Sequence, residues 1–384
     1  MTEHSPKANP SKVTVIVPTY NRAHFVAESL NAILPQLEPQ DELIVIDDGS
    51  EDQTLEVLAG FGDSIKLITQ KNTGKPTALN CAFEHASGDL IWIVDDDDLV
   101  ASDARSRLVT ALEVTPGAGF AYGRHERFFD DEVTGDRHFL GTGYWCECNP
   151  EGFLCATLED FFAHQPGMMV RKSLYDEVGS FSNAFSEDYD MLIRLALVSR
   201  PVAVPGILFY QRQHTGLRGT AANPVKIHQR DRAWIGSGQD IIKQYLAELP
   251  LERFLPGHEA LDERATRRAL LQRGVIFARH SLWLEAAEEF NRAAKQSDAP
   301  FDQAEQTLVR RASQSKFNSE SFLQDRIAYQ ALMRLARSNA VGRSLVRLIG
   351  RSFVWRGREA YRAQRWTTAL SYGRRIFRMW ILAR

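Results

Sequence analysis

Leu43-Ile44-Val45-Ile46-Asp47-Asp48-Gly49-Ser50 is a short apolar run that ends in two carboxylates and a glycine. A run of four apolar residues, three of them β-branched, fits a strand covered on both faces, as in a parallel sheet. The same reading applies on either side of it: Val13 to Val17, Ile65 to Ile68 and Leu90 to Val94 are three more such runs. Helix-like stretches lie between them. Ala23 to Leu34 carries Phe25, Val26, Leu30, Ile33 and Leu34 on one face, and Thr77 to Ala86 carries Ala78, Leu79, Ala82 and Phe83. Strands alternating with helices make βαβ units and a doubly wound α/β sheet. Sites in such sheets form beyond the carboxyl ends of the strands, where the acidic and small polar residues of this chain fall.

Further along, Phe120 to Trp145 reads as strands and a loop over the site. Leu158 to Ala163 reads as helix, Gly167 to Val170 as a strand and Lys172 to Val178 as a short helix. Glu187 to Val198 reads as an amphipathic helix with Ser186 as its N-cap. Val202 to Tyr210 reads as a strand broken at Pro205 and Gly206. Beyond about Asn223 the strand signal gives way to helical, Arg- and Ala-rich sequence. Three regions are expected: a tail over 1–11, a catalytic domain over 12–222, and a helical region over 223–384 that turns basic at about 341.

In the helical region, Leu270, Gly274, Phe277, Ala286, Phe290 and Ala293 have the spacing of two antiparallel helices that approach at small residues. That spacing resembles a tetratricopeptide repeat, and a poorer match surrounds Gly357, Ala360, Trp366 and Ala369. Two partial repeats fall short of a solenoid, so a helical bundle is expected.

Composition narrows the class. The 384 residues are 44% apolar and 25% charged, with a formal net charge of −3, which gives no signal for a nucleic-acid partner. Cys81, Cys146, Cys148 and Cys155 lack the paired spacing of a structural zinc site, and so few thiols fit a reducing compartment. The polar Met1 to Ser11 carries no apolar core of a secretory signal. No stretch reaches the roughly 18 consecutive apolar residues of a membrane span. A cytoplasmic protein is expected.

The chemistry concentrates in a few places. Val94-Asp95-Asp96-Asp97-Asp98-Leu99 ends an apolar run in four carboxylates, which repel one another unless solvated or neutralised by a cation. Read as extended chain, Asp95 and Asp97 share one face and Asp96 and Asp98 the other. A same-face pair can hold Mg²⁺ or Mn²⁺ and leave positions open for phosphate oxygens. The alternative is a solvated turn that caps the next helix. Asp47 and Asp48 can accept hydrogen bonds from a ribose or base, or simply cap a loop. Pro18-Thr19-Tyr20-Asn21-Arg22 has no glycine, against a dinucleotide-binding loop, and Asn72-Thr73-Gly74-Lys75-Pro76 lacks the upstream glycine of a P-loop. Glu187 and Asp188 offer a general base, or merely acids favoured at a helix N-terminus. His214, in Tyr210-Gln211-Arg212-Gln213-His214, is a ligand or an ordinary surface or core histidine.

Together and in order, these motifs resemble the family 2 glycosyltransferases, over about residues 12–216. They are Val15 to Arg22, Asp47-Asp48-Gly49-Ser50 with Asp52 and Thr54, Asn72-x-Gly74-Lys75 with Ala78-Leu79-Asn80, Gly88-Asp89, the acidic run from Asp95, and Glu187-Asp188. The resemblance implies a GT-A fold and an inverting transfer from a nucleotide-sugar donor, UDP-sugars first, to a saccharide or lipid-linked acceptor in cell-surface polysaccharide or glycolipid assembly. It implies that Pro18, Thr19, Tyr20, Arg22, Asp47, Asp48, Lys75, Asn80, Asp95 and Asp96 line the donor nucleotide. Asp95 and Asp97 match the DxD motif, Asp97 with His214 holding Mn²⁺ or Mg²⁺. Asp188, beside Glu187, matches the catalytic base.

Ala78-Leu79-Asn80 departs from the commoner Ala-Arg-Asn and resembles the synthase-like form. The Q-x-x-R-W motif and spans of processive synthases are missing, which implies transfer of one or a few sugars. A pyrophosphorylase is disfavoured by the missing glycine-rich loop; a nucleotide-sugar-binding scaffold acting through its helices is the remaining alternative. From Val341 to Arg384 there are eleven arginines against one acid, Glu359, interleaved with Phe353, Trp355, Tyr361, Trp366, Phe377, Trp380 and Ile381. Such a segment suits an anionic membrane surface, which would make the protein peripheral on the inner face of a membrane.

Overall fold

The computed structural model describes residues 11–214, 218–220, 223–225, 227–257, 262–314, 322 and 325–382. The described residues form two compact units, one from Met1–Phe153 and Phe161–Arg230, the other from Leu154–Asp160 and Asp231–Arg384.

The first unit is built on one mixed sheet. Its strands are β1 (Val13–Thr19), β2 (Glu42–Asp47), β3 (Lys66–Thr69), β4 (Leu90–Ile93), β5 (Leu99–Val100), β6 (Ala118–Asp130), β7 (Arg137–Thr142), β8 (Met168–Arg171) and β9 (Arg200–Arg212). Their order is β3-β2-β1-β4-β8-β6-β9-β5, with β7 paired to β6. The four strands β3-β2-β1-β4 are parallel, and β8 then runs antiparallel to both β4 and β6. This is the GT-A type of α/β sheet, with the wholly parallel block in its N-terminal part.

β1 is central to that block, and all seven of its residues are buried. Val13, Val15 and Val17 face a core shared with Val26, Leu30 and Ile33 of the helix Val26–Ile33. On the other side the helix Lys75–Glu84, through buried Ala78, Leu79 and Ala82, packs on β1 and β2. Each fully buried Val, Leu or Ile side chain among them contributes about 1.5–3 kcal/mol. The double covering explains why these strands show no alternation in the sequence.

Three elements differ from the pattern expected of the sequence. The helix expected at Leu158–Ala163 lies at Phe153–Glu159 instead, and Phe162 is buried among Tyr122, Trp145 and Phe153 without being helical. Ser186 stands at the N-cap of the helix Glu187–Val198, but its hydroxyl caps nothing. β9 runs unbroken through Pro205 and Gly206: its register on β6 steps from Gly123↔Val204 to Arg124↔Ile207, so the pair bulges out of the ladder. A small hairpin, Arg218–Thr220 with Asn223–Val225, also reaches just past the point where strand signal fades.

The second unit is helical. Glu263–Arg279 and Trp283–Gln296 form the close pair anticipated from the small residues. A Cβ on Gly274 would stand 2.4 Å from the Phe290 ring, so only glycine lets that ring seat. Gln303–Arg310, Arg326–Ser338, Ala340–Ser352, Val354–Arg362 and Trp366–Leu382 follow. Inside this unit a buried Arg267–Glu305 pair, 2.8 Å apart, links two helices. His280 meets the Leu158 carbonyl at 2.9 Å, and burial pushes its imidazole down to about 4. Among the described residues, no helix is long and apolar enough to cross a membrane.

Candidate active site at the strand ends

The parallel strands deliver their polar ends to one edge. At the first corner, Asn21 adopts φ 52°, and its side-chain oxygen accepts the Glu51 N–H at 2.8 Å. The Asn21 N–H donates to Ser50 Oγ at 2.9 Å, and the Arg22 N–H donates to Thr54 Oγ1 at 2.8 Å. Asn21, Ser50 and Thr54 thus lace the ends of β1 and β2 together. Pro18 and Thr19 are buried and Tyr20 is half-buried beside them.

Asp48 is 4% exposed and saturated by its own surroundings. Oδ1 accepts from Gln70 Nε2 at 2.7 Å and the Thr73 N–H at 2.9 Å, and Oδ2 accepts the Gly74 N–H at 2.8 Å. Asp47 Oδ2 accepts the Gly49 and Ser50 N–H groups at 3.1 and 3.0 Å, while its Oδ1 is buried with no hydrogen-bond partner. Of the two, Asp47 is the one with an acceptor to spare. Gly49 has φ +78°, and a Cβ there would lie 2.8 Å from the Asn72 nitrogen. Any other residue is therefore strained and crowded at this corner.

The acidic run behaves differently. β4 ends at Ile93, and Asp95 to Asp98 form a turn in which the Asp98 N–H donates to the Asp95 carbonyl at 3.3 Å. The alternation expected of an extended chain does not hold there. The neighbours Asp96 and Asp97 both face Arg22, at 3.5 and 3.9 Å, and both are nearly buried. Burial, and then the Asp97 charge, push the Asp96 carboxyl up to about 7 against the pull of Arg22. Asp97 Oδ2 lies 2.8 Å from His214 Nε2, and the His214 ring rests on Phe25 with centroids 5.0 Å apart. The one conspicuous histidine of the C-terminal end of β9 is brought onto the acidic turn.

Asp95 turns the other way. Its Oδ1 accepts from Lys75 Nζ at 2.6 Å, and the same ammonium is 4.0 Å from Glu187 Oε1. Burial would lower the Lys75 pKa, but Asp95, Glu187 and Asp188 outweigh it and raise it. Burial, then Asp188, push Glu187 up to about 8, and burial also raises Asp188. Asp188 Oδ1 accepts the Tyr189 N–H at 2.8 Å. One lysine therefore sits among three carboxylates from two distant stretches of chain.

Asn80, expected along the nucleotide, has both ends of its amide committed elsewhere. Nδ2 donates to the Phe181 carbonyl at 3.0 Å, and Oδ1 accepts the Phe181 N–H at 2.8 Å. It ties the helix Lys75–Glu84 to the segment leading into Glu187. Arg212, quoted in the sequence only as a neighbour of His214, proves to be 2% exposed and bonded to the acidic turn. A buried arginine at a strand end gives no composition signal, because its partners come from three separated segments.

The sheet edge thus brings together an acidic turn, an acid-headed helix and a lysine between them. The family model for glycosyl transferase family 2 matches residues 14–179. An uncharacterized glycosyltransferase of Rickettsia prowazekii, RP339, is 35% identical over 236 residues, covering 60% of this chain and 73% of that protein. The glucosyltransferase WfgD of Escherichia coli, named for UDP-Glc and an α-D-GlcNAc-diphosphoundecaprenol, is 32% identical over 125 residues, 32% of this chain and 49% of that one. Glycosyltransferase GlyA of Streptococcus pneumoniae is 32% identical over 137 residues, 35% of this chain, and this chain spans only 20% of its length. Among solved structures, S. aureus TarS 1–349 in complex with UDP-GlcNAc is similar with a TM-score of 0.48 and 18% identity, over 94% of this chain and 92% of that one. The chain belongs to glycosyltransferase family 2.

Proposed function

We propose that this protein moves a sugar from a nucleoside-diphosphate sugar to an acceptor hydroxyl, inverting the anomeric carbon. The reading is carried by Lys75, whose ammonium joins Asp95 on the acidic turn to Glu187 on the acid-headed helix. That contact sets the two acid groups expected to handle donor and acceptor around one small volume.

Asp188 is the base. Its carboxylate is held by the Tyr189 N–H and made more basic by burial, so it takes a proton from the acceptor hydroxyl more readily than a solvated aspartate would. Lys75 keeps the neighbouring acids from being neutralised together. Asp95 faces the ribose side, and Asp47, with its spare buried oxygen, is suited to a base or ribose donor group.

The donor set of the turn suits a hard divalent cation. Two nearly buried carboxylates lie side by side next to Arg22, and an imidazole nitrogen lies against one of them. Among the described residues no group of three or more His, Cys, Asp or Glu forms a ready-made metal cage. Mn²⁺ and Mg²⁺ characteristically take one or two protein ligands and leave the rest to phosphate oxygens. Asp97 and His214 would hold the ion, which when bound supplies Lewis-acid stabilisation of the departing diphosphate. Attack from the face opposite the leaving group is what inverts the centre.

UDP-sugars head the donors to test, and a saccharide or lipid-linked acceptor is the class proposed, in keeping with the name of the E. coli relative. In the last two helices Ala360, Tyr372 and Met379 are buried, whereas Trp366, Leu370, Phe377 and Trp380 are exposed among arginines. That division supports contact with an anionic membrane surface. Flotation with anionic vesicles is expected to lift the wild type and to lose it for a Trp366→Ser/Phe377→Ser variant; equal flotation would end that part of the proposal. For the reaction itself, release of nucleoside diphosphate from a panel of UDP-, GDP- and dTDP-sugars is the test. Donor binding without turnover across the panel would favour a nucleotide-sugar-binding scaffold instead.

A further inference from the structure

Arg212 closes β9 and is almost wholly buried. A guanidinium cannot be neutralised, so in such a place every edge needs an acceptor. Its Nε–H donates to the Asp97 carbonyl at 2.9 Å, and its own backbone N–H donates to Asp98 Oδ1 at 2.9 Å. Its two terminal nitrogens pair with Asp130 at the end of β6 and Glu28 of the helix Val26–Ile33. Burial would raise the Glu28 carboxyl, but Arg137 and Arg212 together hold it below its ordinary value. The flat faces are covered by Phe25, 4.9 Å from the guanidinium carbon, and Phe128, 4.6 Å away. Phe25 is also the ring on which His214 rests.

The side chain therefore grips the acidic turn by its main chain and the histidine through a shared aromatic wall. Buried ion pairs of this kind add little net stability, because desolvation offsets the attraction. What they do supply is fixed geometry. We propose that Arg212 is a positioning residue for the cation-binding turn: it holds the Asp97–Asp98 backbone where the Asp97 carboxylate and the His214 imidazole converge. It does this without itself reaching the cation or the donor. A lysine keeps the charge but lacks the planar fork that spans Asp97, Asp130 and Glu28 at once. The proposal rests on the assignment of Asp97 and His214 as the residues that hold the ion.

The test is Mn²⁺ affinity, read from the spin-resonance signal of free Mn²⁺ in titrations of the full chain at saturating UDP. UDP affinity without metal is the control. Arg212→Met is expected to weaken Mn²⁺ binding about 10- to 100-fold, the usual range for groups that orient metal ligands, with metal-free UDP affinity within about twofold of wild type. Arg212→Lys is expected to recover only part of the loss. Wild-type Mn²⁺ affinity in folded Arg212→Met would overturn the proposal. If Arg212→Met does not fold, the Glu28→Gln/Asp130→Asn double variant replaces it: it keeps the two bonds to the turn but frees the far side of the fork. A several-fold weakening of Mn²⁺ binding is expected there, and an unchanged affinity would overturn the proposal equally. Asp97→Asn separates the layers: wild-type Mn²⁺ affinity in that variant would remove the metal assignment itself, and this proposal with it.

Discussion

β2 and β4 flank β1, and both lead into consecutive aspartates, yet the two acid corners are built in opposite ways. At Asp47 and Asp48 the chain supplies donors in number: four backbone N–H groups and the Gln70 amide point at three of the four carboxylate oxygens. At Asp96 and Asp97 the two acids are buried against each other, with Arg22 as the cation between them. The same sequence device, an apolar strand ending in acid, makes a corner held by backbone N–H groups in one case and a cluster of side-chain charges in the other.

Five substitutions probe the two corners and the base, in order of decreasing expected effect. Asp97→Asn is expected to reduce turnover about a hundredfold or more, and Asp188→Asn likewise, within the range of acid–base and charge-stabilising groups. Nucleoside diphosphate release checks both, and near-normal turnover by Asp188→Asn with donor still bound would reject it as the base. Asp48→Ala, by contrast, is expected to cost about 2–3 kcal/mol of folding stability, because it strands the Thr73 and Gly74 N–H groups. Urea unfolding measures this.

Third, the pH dependence of stability is expected to differ. In the fold Asp96 keeps its proton up to about 7, whereas the unfolded chain releases it near 3.8. Between those values the native state binds more protons, so this group makes metal-free stability fall as pH rises. The fall is on the order of 1–3 kcal/mol. Asp96→Asn should flatten it, and an unchanged pH slope would show that Asp96 is ionised throughout. Smallest is Gly49→Ala, expected to cost about 1–2 kcal/mol, since alanine is strained at φ +78° and its methyl meets the Asn72 backbone. A melting temperature equal to wild type would mean that the corner relaxes freely.

Most of the parallel block was legible because its strands are buried on both faces. Val13 to Val17 and Leu43 to Ile46 need no partner information to be recognised. The acids at their ends were legible as a set, but their directions were not. A strand's period of two stops when the chain turns, and the turn at Asp95–Asp98 is set by Arg212, more than a hundred residues away. Asn80 misled for a similar reason: an exposed-type amide inside a helix gives no hint that Phe181 takes both of its ends. At Pro205 and Gly206 local chemistry pointed to a break, and the ladder on β6 absorbed the pair as a bulge. Gly274 and Phe290 succeeded because a close helix approach leaves a small residue opposite a large one in the sequence itself.

If Asp97 holds the cation, Mn²⁺ and the donor diphosphate bind the acidic turn together. Calorimetric titration of UDP into wild type and Asp97→Asn, each with and without Mn²⁺, tests it directly. Mn²⁺ is expected to tighten UDP binding at least tenfold in the wild type and not at all in Asp97→Asn. Equal affinities with and without Mn²⁺ in the wild type, or an undiminished Mn²⁺ effect in the variant, would contradict it.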